Sequence, residues 1–232
     1  MVKILTQAEN ISGLLLVSKE KGIPSFRLVS MLRKIFQVKK IGHAGTLDPF
    51  ATGVMIMLVG KSYTKLCDQF MGKEKQYLAT LKLGETTDTY DSEGVILSSS
   101  SHVPSLEQIQ ASIGLFQGDI MQMPPMYSAK KIGGKRLYSL ARQGISIERS
   151  PSLIHVAISI KSYSYPNLIL DINCSKGTYI RSLAHDIGKS LGCGAYLQEL
   201  QRTRIGNFKL SECIDSKELF SIADLKSHLQ KI

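Results

Sequence analysis

The chain has 232 residues, 43% of them apolar, enough to bury a core and too hydrophobic for a disordered polymer. Twenty-nine Lys and Arg against 19 Asp and Glu leave a formal charge of +10, which favours a polyanionic partner. Cysteines at 67, 174, 193 and 213, with no C-x-x-C pair and no histidine cluster, argue against structural zinc and a disulfide scaffold. The first ten residues lack a signal-peptide core, and no apolar stretch approaches the ~20 residues that span a bilayer. A soluble, cytoplasmic protein with reduced thiols is expected.

Residues 13–18 (GLLLVS) are predicted as a buried strand and 19–24 as a turn. Ser25 is predicted to cap a helix through Gln37, with Phe26, Val29, Leu32, Ile35 and Phe36 on its apolar face. Its other face, Arg27, Arg33 and Lys34, leads on through Lys39 and Lys40 to the stretch GHAGTLDPFATG at 42–53. There, three glycines permit unusual backbone angles, while Pro49 fixes its own φ and biases Asp48 towards an extended conformation. The apolar run 54–59 (VMIMLV) follows, a strand buried on both faces. One carboxylate is thus held by a stiff loop that enters the core, an arrangement suited to a reacting group or to capping nearby backbone N–H groups. The Gly60-Lys61-Ser62 that follows does not complete a phosphate-binding loop, because Met55 stands where its first glycine belongs.

A short helix is expected over 62–70 and an alternating strand over 75–83, carrying Tyr77. The acids of 86–94 (Asp88, Asp91, Glu93) are spaced three then two apart, unlike a calcium loop, so this is read as a turn rich in side-chain caps. A polar linker over 98–101 and a capped helix over 104–115 follow. In 124–150, Lys130, Lys131, Lys135, Arg136, Arg142 and Arg149 face only Glu148, with Tyr127 and Tyr138 interleaved and a Gly133-Gly134 hinge. That texture suits phosphate contacts and base stacking, or a solvated hairpin and helix. Paired strands are expected over 152–160 and 168–174. Lys176-Gly177-Thr178-Tyr179 then opens a helix with Ile180, Leu183, Ala184, Ile187 and Leu191 on its apolar stripe, ended by Gly192 and Gly194. Arg181 falls in the first turn, where the helix dipole disfavours a cation, which implies an anion nearby. The segment 196–206 carries Leu200 and a basic edge at 202–204, and a last helix is expected over 216–229.

The stretch GHAGTLDPFATGVM resembles the central motif of the TruB family of tRNA pseudouridine synthases, which isomerise the T-loop uridine at tRNA position 55. The resemblance continues in family order through Lys75-Gln76-Tyr77, Thr86-Thr87-Asp88-Thr89, Pro125-Met126-Tyr127-Ser128-Ala129 and Lys176-Gly177-Thr178-Tyr179-Ile180-Arg181. It departs at Glu20, where relatives usually carry a proline after the lysine. It implies an α+β pseudouridine synthase fold, a mixed but mostly antiparallel sheet with helices on its faces. It also implies one catalytic domain over 1–232, with 124–150 as a thumb that clasps the T-arm and no C-terminal PUA domain.

By the same resemblance Asp48 is the nucleophile and Arg181 pairs with it, holding its orientation and charge. Tyr77 packs on the base and assists proton transfer, Tyr179 and Leu200 line the pocket, and His43 stacks where the flipped base departed. Lys130, Lys131, Lys135, Arg136 and Arg142 would contact the RNA backbone. The isomerisation oxidises nothing and adds nothing, so no cofactor and no metal are expected. The expected partner is the T-arm stem-loop of tRNA, bound by a monomer without guide RNA or an obligate protein partner. Two alternatives are a guide-RNA-dependent relative of the dyskerin branch, which lacks the thumb, and a non-catalytic RNA-folding module that keeps the pocket.

Overall fold

A computed structural model describes residues 11–128, 130–145 and 147–231, which divide into two compact units, one up to Gly72 and again from Asn207, the other Lys73–Gly206. The first unit begins with β1 (Gly13–Lys19), in which only Ser18 is not fully buried. α1 (Ser25–Phe36) follows, then β2 (Ile41–His43) and β3 (Thr52–Val59). β3 runs antiparallel to β1, from Gly13 opposite Val59 to Lys19 opposite Gly53, and pairs with β2 as well. The unbroken apolar run 54–59 is wholly buried, as expected of a strand covered on both faces.

α1 starts at Ser25, but Ser25 does not cap it. Pro24 occupies the cap position, and the buried Ser25 hydroxyl donates to Leu47 O (2.7 Å) and accepts from Leu47 N (2.9 Å). The helix buries Leu28, Val29, Leu32 and Phe36, while Phe26 is 59% exposed rather than part of the core. The helix expected over 62–70 is two short pieces, α2 (Lys61–Thr64) and α3 (Cys67–Met71).

The second unit contains β4 (Lys75–Leu83), β5 (Glu85–Thr87), β6 (Ile96–Ser99), α4 (Leu106–Gly114), β7 (Gly118–Gln122), β8 (Lys131–Ile132), β9 (Lys135–Arg136), α5 (Leu137–Ala141), β10 (Ser152–Ser164), β11 (Asn167–Cys174), α6 (Ile180–Ser190) and β12 (Ala195–Ile205). Five of these strands form a sheet in the order β12-β4-β11-β10-β7, antiparallel at every junction. Alternation along β4 buries Lys75, Tyr77, Ala79, Leu81 and Leu83 on one face, and α6 lies against β12 and β4. The close approach of α6 to β12 requires Gly188, since a Cβ there would collide with the backbone nitrogen of Ala195. The polar linker expected at 98–101 is instead partly β6, paired with β5. Gly133 and Gly134, both at positive φ, form the turn of the β8–β9 hairpin.

Two further expectations fail. Arg202 is 1% exposed, so 202–204 is no open basic edge, and Arg204 is spent on Gln76 Oε1, Asn173 Oδ1 and Gly206 O. The helix expected over 216–229 is absent. The chain returns to the first unit as β13 (Phe208–Lys209) and β14 (Ile214–Asp215), followed by 3-10 turns at Ser216–Glu218 and Leu225–His228. Ser221 and Ser227 donate to Glu218 O and Asp224 O, side-chain bonds that offer the backbone an alternative to a continuous helix. β14 lies parallel to β1, which makes the fold α+β with a mixed, mostly antiparallel strand arrangement. Among the described residues no helix is long and apolar enough to cross a membrane.

Candidate active site

The half-buried Asp48 stands on backbone fixed from both sides. Before it, Leu47 exchanges two hydrogen bonds with Ser25. After it, Pro49 O accepts from Gly22 N (2.8 Å) and from the ammonium of Lys19 (3.0 Å). Ala51 N closes the loop onto Asp48 O (3.1 Å). Lys19 is 1% exposed, and its Nζ also donates to Glu20 O (2.9 Å) and Ile23 O (2.8 Å). Burying an ammonium is costly unless its donors are satisfied, and here three carbonyls satisfy them. Gly45 and Gly53 take the positive φ values (95° and 106°) that let the loop leave and re-enter the core. His43 sits on β2 opposite Met57, and its carbonyl accepts from the Cys67 thiol.

The remaining candidates belong to the second unit. Arg181, in the first turn of α6, is 6% exposed. Its Nη1 lies 3.2 Å from Asp91 Oδ2 and donates to Thr89 O, while Nη2 donates to Tyr127 O (2.7 Å). Asp91 is 3% exposed, and its other oxygen accepts from Thr89 Oγ1 (2.6 Å) and Glu93 N (3.0 Å). Asp91 is thus one anion beside Arg181 at the helix N-terminus, in the turn read from sequence as caps alone.

Tyr179 precedes α6, and the buried Gln122 grips its backbone at both ends. Gln122 Oε1 accepts from Tyr179 N (2.8 Å), and Gln122 Nε2 donates to Tyr179 O (3.0 Å). Tyr77 (8% exposed) lies opposite Arg202, and Leu200 (7% exposed) lies opposite Ala79, so both share one face of the sheet. At the start of β4, burial pushes the Lys75 ammonium down to about 8, with the charge of Arg202 adding to the shift.

The family model of the TruB family pseudouridylate synthase N-terminal domain matches residues 33–180, and that of the tRNA pseudouridylate synthase B C-terminal domain matches 181–231. The chain belongs to the TruB family of pseudouridylate synthases. Similar TruB proteins include the tRNA pseudouridine synthase B of Protochlamydia amoebophila, 55% identical across 97% of this chain and 86% of that protein. That of Clostridium tetani is 46% identical across 90% and 73%. Among solved structures, a Cbf5-Nop10-Gar1 complex matches with a TM-score of 0.73 at 26% identity, over 95% of this chain and 60% of the other. An H/ACA RNP bound to a substrate RNA containing 2'-deoxyuridine matches at 0.68 and 25% identity, over 93% and 54%. The chain thus spans little more than half of those structural neighbours.

In this TruB chain the basic insertion is closed at its base, where Arg149 Nη1 donates to Pro124 O (3.0 Å). Lys130 Nζ donates to Ser152 Oγ (3.2 Å), and the exposed Arg142 lies over the Tyr138 ring. Lys131, Lys135 and Arg136 lie on the two strands of the hairpin. Sequence reasoning missed Lys19, Ser25, Asp91 and Gln122, which hold the candidates in place. Only Asp91 left a signal, through the misplaced charge of Arg181. Among the described residues no cluster of His, Cys, Asp and Glu could hold a metal ion.

Proposed function

We propose that this enzyme converts uridine 55 in the T-loop of tRNA to pseudouridine, with Asp48 as its nucleophile. The observation that carries the reading is the fixed backbone around Asp48, the single carboxylate of the 42–53 stretch. A carboxylate with a reference pKa of ~3.9 is an anion at neutral pH. The N1–C1′ bond breaks, the uracil turns, C5 joins C1′, and the C5 proton leaves while N1 takes one up. Attack at C1′, addition at C6 and elimination through a glycal all use the same carboxylate.

Arg181 pairs with Asp48 and preserves its charge. Tyr77 packs against the base and takes part in proton transfer, Tyr179 and Leu200 wall the pocket, and His43 fills the place that the flipped base vacates. Extruding the base costs a few kcal/mol, offset by stacking in the pocket and by phosphate contacts from the thumb at 124–150. The enzyme acts as a monomer without cofactor or guide RNA. The 55% identity to a protein named for tRNA supports this substrate. The likeness to a Cbf5-Nop10-Gar1 complex and to an H/ACA RNP favours the second, guide-dependent reading.

One assay separates them: tritium release from C5-labelled uridine in an unmodified T-arm hairpin, with purified protein alone. Stoichiometric release is expected. Release that requires added RNA or protein would establish the guide-dependent reading instead. In the same assay Asp48→Asn should bind the hairpin and turn over at least about a thousandfold more slowly. A rate within about tenfold of wild type would remove Asp48 from the chemistry.

A further inference from the structure

We propose that Ser216 is a positioning residue for the Asp48 loop, acting through the backbone N–H of Glu20. The proposal rests on the reading of Asp48 as the reacting group. β14 pairs in parallel with the end of β1, Val17 opposite Ile214 and Ser18 opposite Asp215. One step beyond that pairing, Glu20 N donates to Ser216 Oγ at 3.1 Å, and Ser216 is 0% exposed. The other backbone group of Glu20, its carbonyl, accepts from Lys19 Nζ, the ammonium that also holds Pro49 O. Glu20 is therefore gripped on one side by the C-terminal segment and on the other by the cation that fixes the residue after Asp48.

A proline at position 20 would fix φ with its ring and bring no N–H to satisfy. With Glu20 the chain has a part-buried donor to satisfy and lacks that ring's stiffness. Ser216, 196 positions along the chain, answers both needs with one hydroxyl. The Asp215 carboxylate accepts from Lys217 N (2.9 Å) and so sets the turn that presents Ser216. The Glu20–Lys217 contact at 3.9 Å, with the lysine 68% exposed, is too solvated to do the same work.

The test is a double-mutant cycle on the single-turnover rate and on affinity for the T-arm hairpin, with unfolding temperatures measured so that every variant is assayed folded. Ser216→Ala should slow the chemical step about tenfold while hairpin affinity stays within about twofold. Ser216→Cys, which keeps a weak acceptor, should fall between it and wild type. Glu20→Pro with Ser216→Ala removes donor and acceptor together, and should recover to within about threefold of wild type.

A Ser216→Ala rate within about twofold of wild type overturns the proposal, as does a double variant no faster than Ser216→Ala. Glu20→Ala keeps the N–H, so a loss as large as that of Ser216→Ala would assign the effect to the side chain and overturn it too. Asp48→Asn is assayed alongside. Turnover by that variant near the wild-type rate overturns the reading of Asp48 and the proposal with it, whereas the other outcomes overturn the proposal alone.

Discussion

A guanidinium presents five N–H groups in a rigid fork, and Arg181 uses that shape to reach Thr89 O, Asp91 Oδ2 and Tyr127 O at once. Two segments distant in sequence are thereby tied together, since Tyr127 begins the basic insertion and Asp91 lies in the turn after β5. Lysine offers a point charge that cannot span these acceptors. Arg181→Lys should therefore lower the single-turnover rate by at least about a hundredfold while RNA affinity changes by less than about fivefold. If affinity falls and the rate does not, Arg181 is a phosphate contact. Asp91→Asn probes the other half of the buried pair. It keeps the shape and the bonds from Thr89 Oγ1 and Glu93 N but strips the charge that faces the guanidinium. Removing one partner of a buried pair typically costs ~3 kcal/mol, readable as a shift in urea midpoint at constant slope. A change below ~1 kcal/mol would mean that Asp91 is not the counter-ion that holds Arg181.

At the scale of elements, the turn carrying Asp91 docks on α6 at two points one helical turn apart. Asp91 meets Arg181, and Tyr90 stacks on His185 with ring centroids 4.0 Å apart. Tyr90 adopts a left-handed conformation (φ 63°), a cost of order 1 kcal/mol that the stack and the ion pair must hold in place. Burial lowers the pKa of His185, so the unfolded chain binds its proton more readily than the folded one. Stability is complete above the unfolded value of ~6.5 and is lost as pH falls through the folded value. Asp186, whose pKa burial raises, works the other way in more acidic solution, so the useful window opens just below about pH 6.5. His185→Phe keeps a ring against Tyr90 and should flatten the stability loss in that window. An unchanged slope would clear His185 of it. Which elements were legible follows from where their information lies. β1, β3, β4 and α6 announce themselves by local periodicity, and so does the Asp48 loop by its glycines and proline. Ser25 read as a cap because its partner, Leu47, lies 22 residues away. The 216–229 segment has apolar residues at helical spacing (Leu219, Ile222, Leu225 and Leu229), but its serines return their hydroxyls to their own backbone. Arg202 read as part of a basic edge because charge alone does not reveal which face of a strand is buried.

For the whole molecule, the formal charge of +10 overstates what an RNA can meet. Lys19, Lys75, Arg181 and Arg202 are buried, and Arg204 is committed to neighbours within its own unit. The cations left in solvent include Arg27, Lys34, Lys39 and Lys40 along and beyond α1, and Arg142 in the insertion. Neutralising the insertion must spare Leu137 and Leu140, which are buried and hold its helix, so deletion or a Gly-Ser replacement would confound charge with packing. Changing Lys130, Lys131, Lys135, Arg136 and Arg142 together to glutamine avoids that. Every side chain that had neutralised a phosphate should, once uncharged, reduce the slope of log affinity against log salt by roughly 0.7–0.9. The fall is expected in affinity for the T-arm hairpin, with the single-turnover rate at saturating enzyme nearly unchanged, because none of the five has a role at the reacting atoms. A slope equal to that of wild type would mean that these side chains do not meet RNA phosphates. The electrostatic attraction would then have to come from the α1 face, where Arg27, Lys34, Lys39 and Lys40 changed to glutamine should produce the missing decrease.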